Sequence, residues 1–183
     1  MVRIREALTA DAVDIARIDI ETWRAAYAGI LPEKLLVAMA PTQRTRLWSS
    51  VIAQTPGDVV VATDRRGAVV GFGSCGERRD GPPQFAGEIF TLYVALDAQN
   101  QGIGRQLLLA LFTRLARRGR DSAVVWVLRD NPSRFFYERL GAKLASHRNI
   151  HVGGAPVEAV AYGWSDLPAV IRANQRTSGS VKE

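Results

Sequence analysis

The stretch Leu92–Arg105 constrains the fold of this chain more than any other. An apolar strand pattern runs into a loop with two glycines, and the loop opens directly into a long amphipathic helix. The first turn of a helix leaves backbone N–H groups without intrahelical acceptors and attracts anions. Gly102 and Gly104 lack a Cβ, so the backbone can approach a ligand closely. The stretch predicts a pyrophosphate-binding loop, although a simple strand-to-helix connection would have the same pattern.

The predicted helix after this loop has apolar residues at helical spacing, which form one buried face. These residues are Ile103, Leu107, Leu108, Leu111, Phe112 and Leu115. Arg105, in the first turn, adds a fixed positive charge that suits phosphate oxygens. Gly119, among several arginines, marks the predicted end of the helix.

Two motifs in this order resemble those of the GNAT family of acetyl-CoA-dependent N-acetyltransferases. The loop Gln99–Gly104 matches the family's Gln/Arg-x-x-Gly-x-Gly/Ala pattern. After the next predicted strand, the segment Asn131–Ala142 matches an Asn followed by an aromatic-Tyr-x-x-x-Gly pattern. Ala142 is a departure, because the family commonly has an aromatic residue after that glycine. The resemblance covers roughly residues 2–167.

The resemblance implies an α/β GNAT fold: a mixed, mostly antiparallel sheet of six or seven strands with helices on both faces. The sheet is expected to open between the strands at 88–94 and 123–128 and to admit the cofactor there. The implied reaction transfers an acetyl group from acetyl-CoA to a primary amine, without a metal. The acceptor is left open between a small molecule and a protein amine.

The same resemblance assigns the cofactor-binding residues. They are Leu92, Val94, Gln99, Asn100, Gln101, Gly102, Ile103, Gly104, Arg105, Asn131 and Tyr137. The backbone of Leu92 and Val94 is expected to pair with the pantetheine arm, and Tyr137 to act as general acid. Without the resemblance, Tyr137 would be interpreted as a packed aromatic residue, and Asn131 as a helix N-cap before Pro132.

Glu88 is the candidate general base, at a position where the resembled family often has a carboxylate. It lies in an apolar strand, where a carboxylate is costly to bury unless it has a partner or lies at a cleft. Strict two-residue alternation would place Glu88, Phe90, Leu92 and Val94 on one face of that strand.

Trp23 and Tyr27 are weaker candidates for acceptor binding. The resembled family uses this region of the chain as one wall of its acceptor site. Their i, i+4 spacing is more typical of core packing.

The segment Gly71–Gly76 has the glycine spacing of a dinucleotide-binding loop, but we do not predict that it binds a nucleotide. It satisfies Gly-x-Gly-x-x-Gly after a strand, but a charged loop with two prolines follows where the motif needs a helix.

The chain of 183 residues predicts one domain over 1–168 and a mobile polar tail over 169–183. Hydrophobic residues make up 47% and charged residues 23%, as in soluble globular proteins. No apolar run approaches the roughly 20 residues of a membrane helix. The N-terminus lacks a signal-peptide core, and Cys75 is the single cysteine, so we expect a cytoplasmic protein.

A net charge of +6 and a pI near 10.1 would suit a polyanionic cofactor, an acidic partner or nucleic acid. The arginines are dispersed and no nucleic-acid motif is present, which does not favour nucleic acid. Two alternatives to an enzyme stay open: a non-catalytic acyl-CoA-binding sensor or interaction module, and an RNA-binding protein. The edge strands are compatible with a homodimer.

Overall fold

The computed structural model describes residues 2–179, and within them seven strands form a single sheet. The strands are β1 (Arg3–Glu6), β2 (Val59–Thr63), β3 (Val69–Glu77), β4 (Gly87–Val94), β5 (Ala123–Leu128), β6 (Lys143–Val152) and β7 (Ala155–Trp164). Their order is β1-β2-β3-β4-β5-β7-β6. Every neighbouring pair is antiparallel except β4 and β5, which are parallel. The mixed, mostly antiparallel sheet is confirmed.

Helices cover both faces of the sheet, as expected. In the described part of the chain they are α1 (Ala12–Tyr27), α2 (Glu33–Val37), α3 (Pro41–Gln54), α4 (Ile103–Arg117), α5 (Arg134–Arg139) and α6 (Leu167–Gly179). On the face of α1 and α3, the rings of Trp48 and Phe72 meet with centroids 4.9 Å apart. On the face of α4, fully buried leucines pack against β3. None of these helices is both long and apolar enough to cross a membrane.

The glycines of the dinucleotide-like pattern lie inside β3, where they let α4 come close. A Cβ at Gly71 would lie 3.2 Å from the Leu107 side chain, and one at Gly73 would lie 2.8 Å from Leu111. Because both distances are tighter than ordinary Cβ contacts, larger residues would push α4 away from the sheet. The pattern therefore serves helix–sheet packing.

The sheet opens between β4 and β5. These strands pair only where Gly87–Ile89 face Ala123–Val125. Beyond that point β4 pairs with β3 alone and β5 with β7 alone. The parallel pair therefore forms the two sides of a wedge, at the place that the GNAT resemblance implied.

A β-bulge at Phe90 changes the direction of the side chains in β4. Cys75 pairs with Ile89, and the preceding Ser74 pairs with Thr91, so Phe90 is an extra residue on β4. The Ser74 and Thr91 hydroxyl oxygens lie 2.7 Å apart, which places both side chains on one face.

The prediction that Leu92 and Val94 share a face with Glu88 is wrong because of this bulge. A Cβ at Gly73 would lie 3.2 Å from Leu92, on the α4 face. Val94 Cγ2 also points to α4. Tyr93 instead packs against Phe72, on the face of α1 and α3, with centroids 5.6 Å apart. One extra residue has exchanged the two faces over the second half of the strand.

Helix α6 occupies most of the segment for which the sequence predicted a mobile tail. Asp166 accepts a hydrogen bond from the Ala169 N–H at 2.8 Å, which stabilises the helix start. Leu167 is fully buried, and Val170 and Ile171 pack against the core. The structure thus differs from the expectation over 169–179, while 180–183 lie outside the described residues. The single domain over 1–168 stays a prediction.

Candidate active site

A cleft of about 340 Å³ lies between the end of β4, the start of α4 and α5. Its walls are formed by Leu92, Val94, Ala98, Gln99, Asn100, Gly102, Ile103, Gly104, Arg105, Ser133, Phe136 and Tyr137. Most of the predicted cofactor-binding residues therefore lie around one space. The exceptions are Gln101, whose side chain turns back to the Asp97 carbonyl at 3.3 Å, and Asn131, which lines a neighbouring cavity.

The loop before α4 depends on two left-handed residues. Gly102, the N-cap of α4, has φ +76°, and Asn100 has φ +61°. Gly102 has no atom within 4 Å of where a Cβ would stand. The backbone conformation, and not crowding by neighbours, therefore explains the glycine. This turn brings the first amides of α4 to the wall of the cleft.

Besides Gln101, two further side chains of the loop have protein partners. The Gln99 side-chain amide donates to the Val94 carbonyl at 3.1 Å, so that carbonyl is already engaged. The Arg105 guanidinium donates from Nε to Asn174 Oδ1 at 2.9 Å and from Nη2 to the Asn174 carbonyl at 3.3 Å. Arg105 lines the cleft and is held there by α6.

A second, smaller cavity of about 50 Å³ lies within the wedge itself. Its walls are formed by Tyr27, Phe90, Thr91, Leu92, Tyr93, Val125, Trp126, Val127, Asn131, Ser133 and Tyr137. Leu92, Ser133 and Tyr137 line both cavities. A molecule that filled the larger cleft would therefore meet one that filled the smaller cavity at these three residues.

Tyr137 lies at this junction and is also a packed core residue. It is only 7% exposed, and its ring makes edge contacts with Phe136 and Trp164. Burial, with the nearby Tyr27, raises the pKa of Tyr137 well above its ordinary value. The hydroxyl therefore keeps its proton throughout the neutral range and is available as a donor.

Asn131 combines a structural contact with a place in the cavity wall. Its Oδ1 accepts a hydrogen bond from the Ser133 N–H at 2.9 Å, at the start of α5. The side chain is buried and faces the smaller cavity. The prediction that Asn131 is the N-cap is wrong, because α5 begins two residues later with Ser133 as its N-cap, and Asn131 instead stabilises the turn before it. The Asn131 side chain also interacts with Tyr27.

Glu88 is buried but does not line either cavity. Its Oε2 accepts a hydrogen bond from the Arg79 backbone N–H at 2.9 Å, and its Oε1 accepts one from Arg79 Nη2 at 2.7 Å. The Arg79 guanidinium lies 3.9 Å from the ring centroid of Phe90, which does line the smaller cavity. The candidate base is thus two residues before Phe90, the first residue of β4 in the cavity wall, and carries a charged partner.

Trp23 and Tyr27 lie in the last turns of α1, beside the wedge. Their rings pack at a centroid distance of 4.8 Å, and Tyr27 lines the smaller cavity. The Trp23 indole N–H donates to the Tyr93 hydroxyl at 3.0 Å. Tyr93 is a site residue that the sequence did not reveal, because only the bulge turns it towards this cavity.

Comparison with known proteins places the chain among the acetyltransferases. The model of the Acetyltransferase (GNAT) family matches residues 20–142. The chain belongs to the GNAT family. It is 34% identical over 170 residues to the uncharacterized N-acetyltransferase YuaI of Bacillus subtilis, and the match covers 93% of this chain and 96% of YuaI. This GNAT protein is therefore an acetyltransferase.

Solved GNAT structures share the fold. The PaiA N-acetyltransferase of Thermoplasma acidophilum, in complex with coenzyme A, aligns with a TM-score of 0.65 and 19% identity over 90% of this chain and 99% of PaiA. A phosphinothricin acetyltransferase of Sinorhizobium meliloti, in complex with acetyl-CoA, aligns with a TM-score of 0.66 and 22% identity over 89% of this chain and 87% of that protein. At such identities the likeness establishes the fold alone.

Proposed function

We propose that this GNAT protein transfers an acetyl group from acetyl-CoA to a primary amine. The observation that carries the proposal is the continuity of the site. The open edge of β4 leads from the N-terminus of α4 to the buried Tyr137 hydroxyl, and the smaller cavity begins there. Structural neighbours in complex with coenzyme A and acetyl-CoA support the choice of donor.

The pantetheine arm would complete the sheet at the wedge. Beyond Ile89, β4 has no strand partner on its β5 side among the described residues. Unpaired backbone groups are costly to bury, so an extended amide-containing arm is a suitable partner. We assign the Leu92 N–H to the thioester oxygen. The Val94 carbonyl accepts from Gln99 and not from β3, and backbone groups two residues apart in a strand point to the same side, so the Leu92 N–H also faces the open edge. Donors of this kind contribute about 10²–10³ in rate.

The pyrophosphate would bind at the start of α4. The amides from Gly102 to Arg105 belong to the first turn, which has the positive end of the helix dipole. Arg105 lines the same cleft and keeps a full positive charge. Together they provide donors and charge for two phosphate groups.

Proton movements in the transfer would involve Tyr137 and Glu88. The amine nitrogen attacks the thioester carbon, the C–N bond forms, and the C–S bond breaks. The Tyr137 proton goes to the leaving thiolate, and the amine proton goes through water to Glu88. Each general acid–base contribution is typically about 10²–10⁴ in rate. Glu88 acts through water because it does not line the cavity.

The experiment that tests this proposal measures thiol release from acetyl-CoA with and without a mixture of primary amines. Amine-dependent release, with acetylated amine found by mass spectrometry, is the expected result. Binding of acetyl-CoA without any turnover would identify the non-catalytic sensor instead.

The Glu88→Gln variant tests the base separately. It should lower the rate most at low pH, where removal of the amine proton limits the reaction. Glu77→Gln is the matched control, because Glu77 is exposed and pairs with Arg120 away from the cavity. A pH profile of Glu88→Gln that equals that of the control would remove Glu88 from the mechanism.

A further inference from the structure

The smaller cavity presents polar atoms but no ionised side chain to a bound amine. Among the described residues that line it, the polar side chains are those of Tyr27, Tyr93, Tyr137, Thr91, Asn131, Ser133 and Trp126. All of them are uncharged at neutral pH, since burial raises the pKa of the three tyrosines further. The space of about 50 Å³ holds one or two small groups.

Of the three buried carboxylates in the described part of the chain, Asp11 pairs with Arg5 before the start of α1, and the other two, Glu88 and Asp19, also each have an arginine partner. Glu88 accepts two hydrogen bonds from Arg79. Asp19, in α1, is 2% exposed; its Oδ2 accepts a hydrogen bond from the Trp48 indole at 2.9 Å and lies 3.6 Å from Arg44 Nε. Neither carboxylate therefore offers an uncompensated negative charge to an ammonium group.

A third arginine beside this region is also paired with a carboxylate. From β6, the Arg148 guanidinium lies 4.0 Å from the ring centroid of Trp126, which lines the cavity. Arg148 pairs with the exposed Asp80. A cation that entered the cavity would thus lose water and find no unpaired anion among the described residues around it, which is unfavourable.

The acceptor must therefore lose its ammonium proton, through water to Glu88 or to the solvent, before its nitrogen enters the cavity, and amines differ greatly in how readily they do so. At pH 7 an amine of the lysine type, with a pKa near 10.4, is neutral in about one molecule in 2,500. An α-amino group, with a pKa near 7.7–8.0, is neutral in about one in ten. The difference in neutral fraction is roughly 300-fold.

We propose that the acceptor is the α-amino group of a peptide N-terminus, and not an alkylamine such as a lysine side chain. This inference rests on the proposed acetyl transfer and names the chemical class of its acceptor. The uncharged cavity selects the acceptor by the ease with which its amine loses a proton.

The test uses a peptide that has both amines, Ala-Ala-Lys amide, and locates the acetyl group by tandem mass spectrometry. At pH 7 the α-product should exceed the ε-product by about 100-fold, since the neutral fractions differ by more than that. Between pH 7 and pH 9 the ratio should fall roughly tenfold, because the α-amine is then almost fully neutral. L-Alaninamide, tested alongside, should be acetylated at pH 7 much faster than L-alanine, because the free carboxylate of L-alanine makes its α-ammonium group more basic.

A variant that places a carboxylate in the cavity should relax this selection. Asn131→Asp keeps the shape and the oxygen that accepts from the Ser133 N–H, and adds a charge that can hold an ammonium group. The share of ε-product should rise about tenfold or more. Asn149→Asp, on the exposed surface of β6, is the matched control and should leave the ratio unchanged. If Asn131→Asp does not fold, Thr91→Asp places the carboxylate on the opposite wall of the same cavity.

The outcomes separate this inference from the proposed function. Acetylation mainly at the lysine side chain, or an α-preference that does not change with pH, would overturn the inference and leave amine acetylation intact. If no amine of the peptide, of L-alanine, of L-alaninamide or of butylamine is acetylated, the proposed function itself fails, and the inference fails with it.

Discussion

Replacement of Gly102 by valine should weaken acetyl-CoA binding much more than it weakens the fold. Gly102 has φ +76°, and a Cβ there would meet no atom within 4 Å, so backbone conformation and not crowding at the Cβ sets the cost of the substitution. Its cost is backbone strain, about 1–3 kcal/mol for a non-glycine residue in this conformation. For a chain of this length, that corresponds to a fall in Tm of roughly 2–12 °C.

Binding should suffer in addition, because relief of the strain moves the amides that begin α4. One lost hydrogen bond to a charged group costs about 1.5–3 kcal/mol, or roughly 10- to 150-fold in Kd. Titration calorimetry with acetyl-CoA measures this loss. Gly67→Val is the matched control, since Gly67 has φ +85°, is equally uncrowded and lies in the β2–β3 turn. Equal acetyl-CoA affinities of the two variants would refute the phosphate-binding role of the loop.

Three further predictions concern residues of known environment. Tyr137→Phe should lower the rate by about 10²–10⁴ with unchanged acetyl-CoA affinity; a wild-type rate at every pH would show that Tyr137 is not the acid. Asn174→Ala should release Arg105 and raise the KM for acetyl-CoA about fivefold, roughly 1 kcal/mol, but not the KM for S-acetylpantetheine, which has no pyrophosphate. Equal effects on both donors would contradict a phosphate role of Arg105. Cys75 is fully buried, and burial raises its pKa to about 11, so a disulfide reagent at pH 8 should label it only after unfolding. Because the folded pKa is the higher one, its contribution to stability is complete below about pH 8.5 and is lost as the pH rises through about 11. Rapid labelling of the native protein would disprove this burial.

The elements that position the cofactor cleft were predictable from local pattern. The apolar residues of α4 recur at helical spacing, and the glycines before it mark a loop with unusual backbone angles. Both signals are local, so they can be read without knowledge of the fold. The match of two separate motifs then supplied the fold class, which neither motif shows alone.

The acceptor side depends on contacts that no local pattern encodes. The bulge at Phe90 adds one residue to β4 and turns Tyr93 towards the wedge, against the two-residue alternation. Arg79, which pairs with Glu88, comes from the loop after β3, so its partner could not be read from spacing. These are pairings between segments, which the folded sheet alone determines.

The sequence of helix α6 contains a helical pattern of apolar residues, but the polar composition of the segment made this pattern hard to recognise. Asp166 precedes a helical repeat of Leu167, Val170 and Ile171, and Asn174 follows at the same spacing. Because most residues of the segment are polar, the sequence favoured the prediction of a mobile tail. The apolar repeat is short, and its burial against α4 is what makes the helix stable.

The most direct test of the account is amide hydrogen exchange, followed by mass spectrometry, of the protein alone and with acetyl-CoA, with NAD as the control ligand. We expect acetyl-CoA to slow amide exchange in two segments, residues 90–94 of β4 and the loop with the first helical turn at 99–105. NAD should slow exchange in neither segment. Protection elsewhere, for example at Gly71–Gly76, or no protection by saturating acetyl-CoA, would contradict the assignment of the wedge and the α4 N-terminus as the donor site.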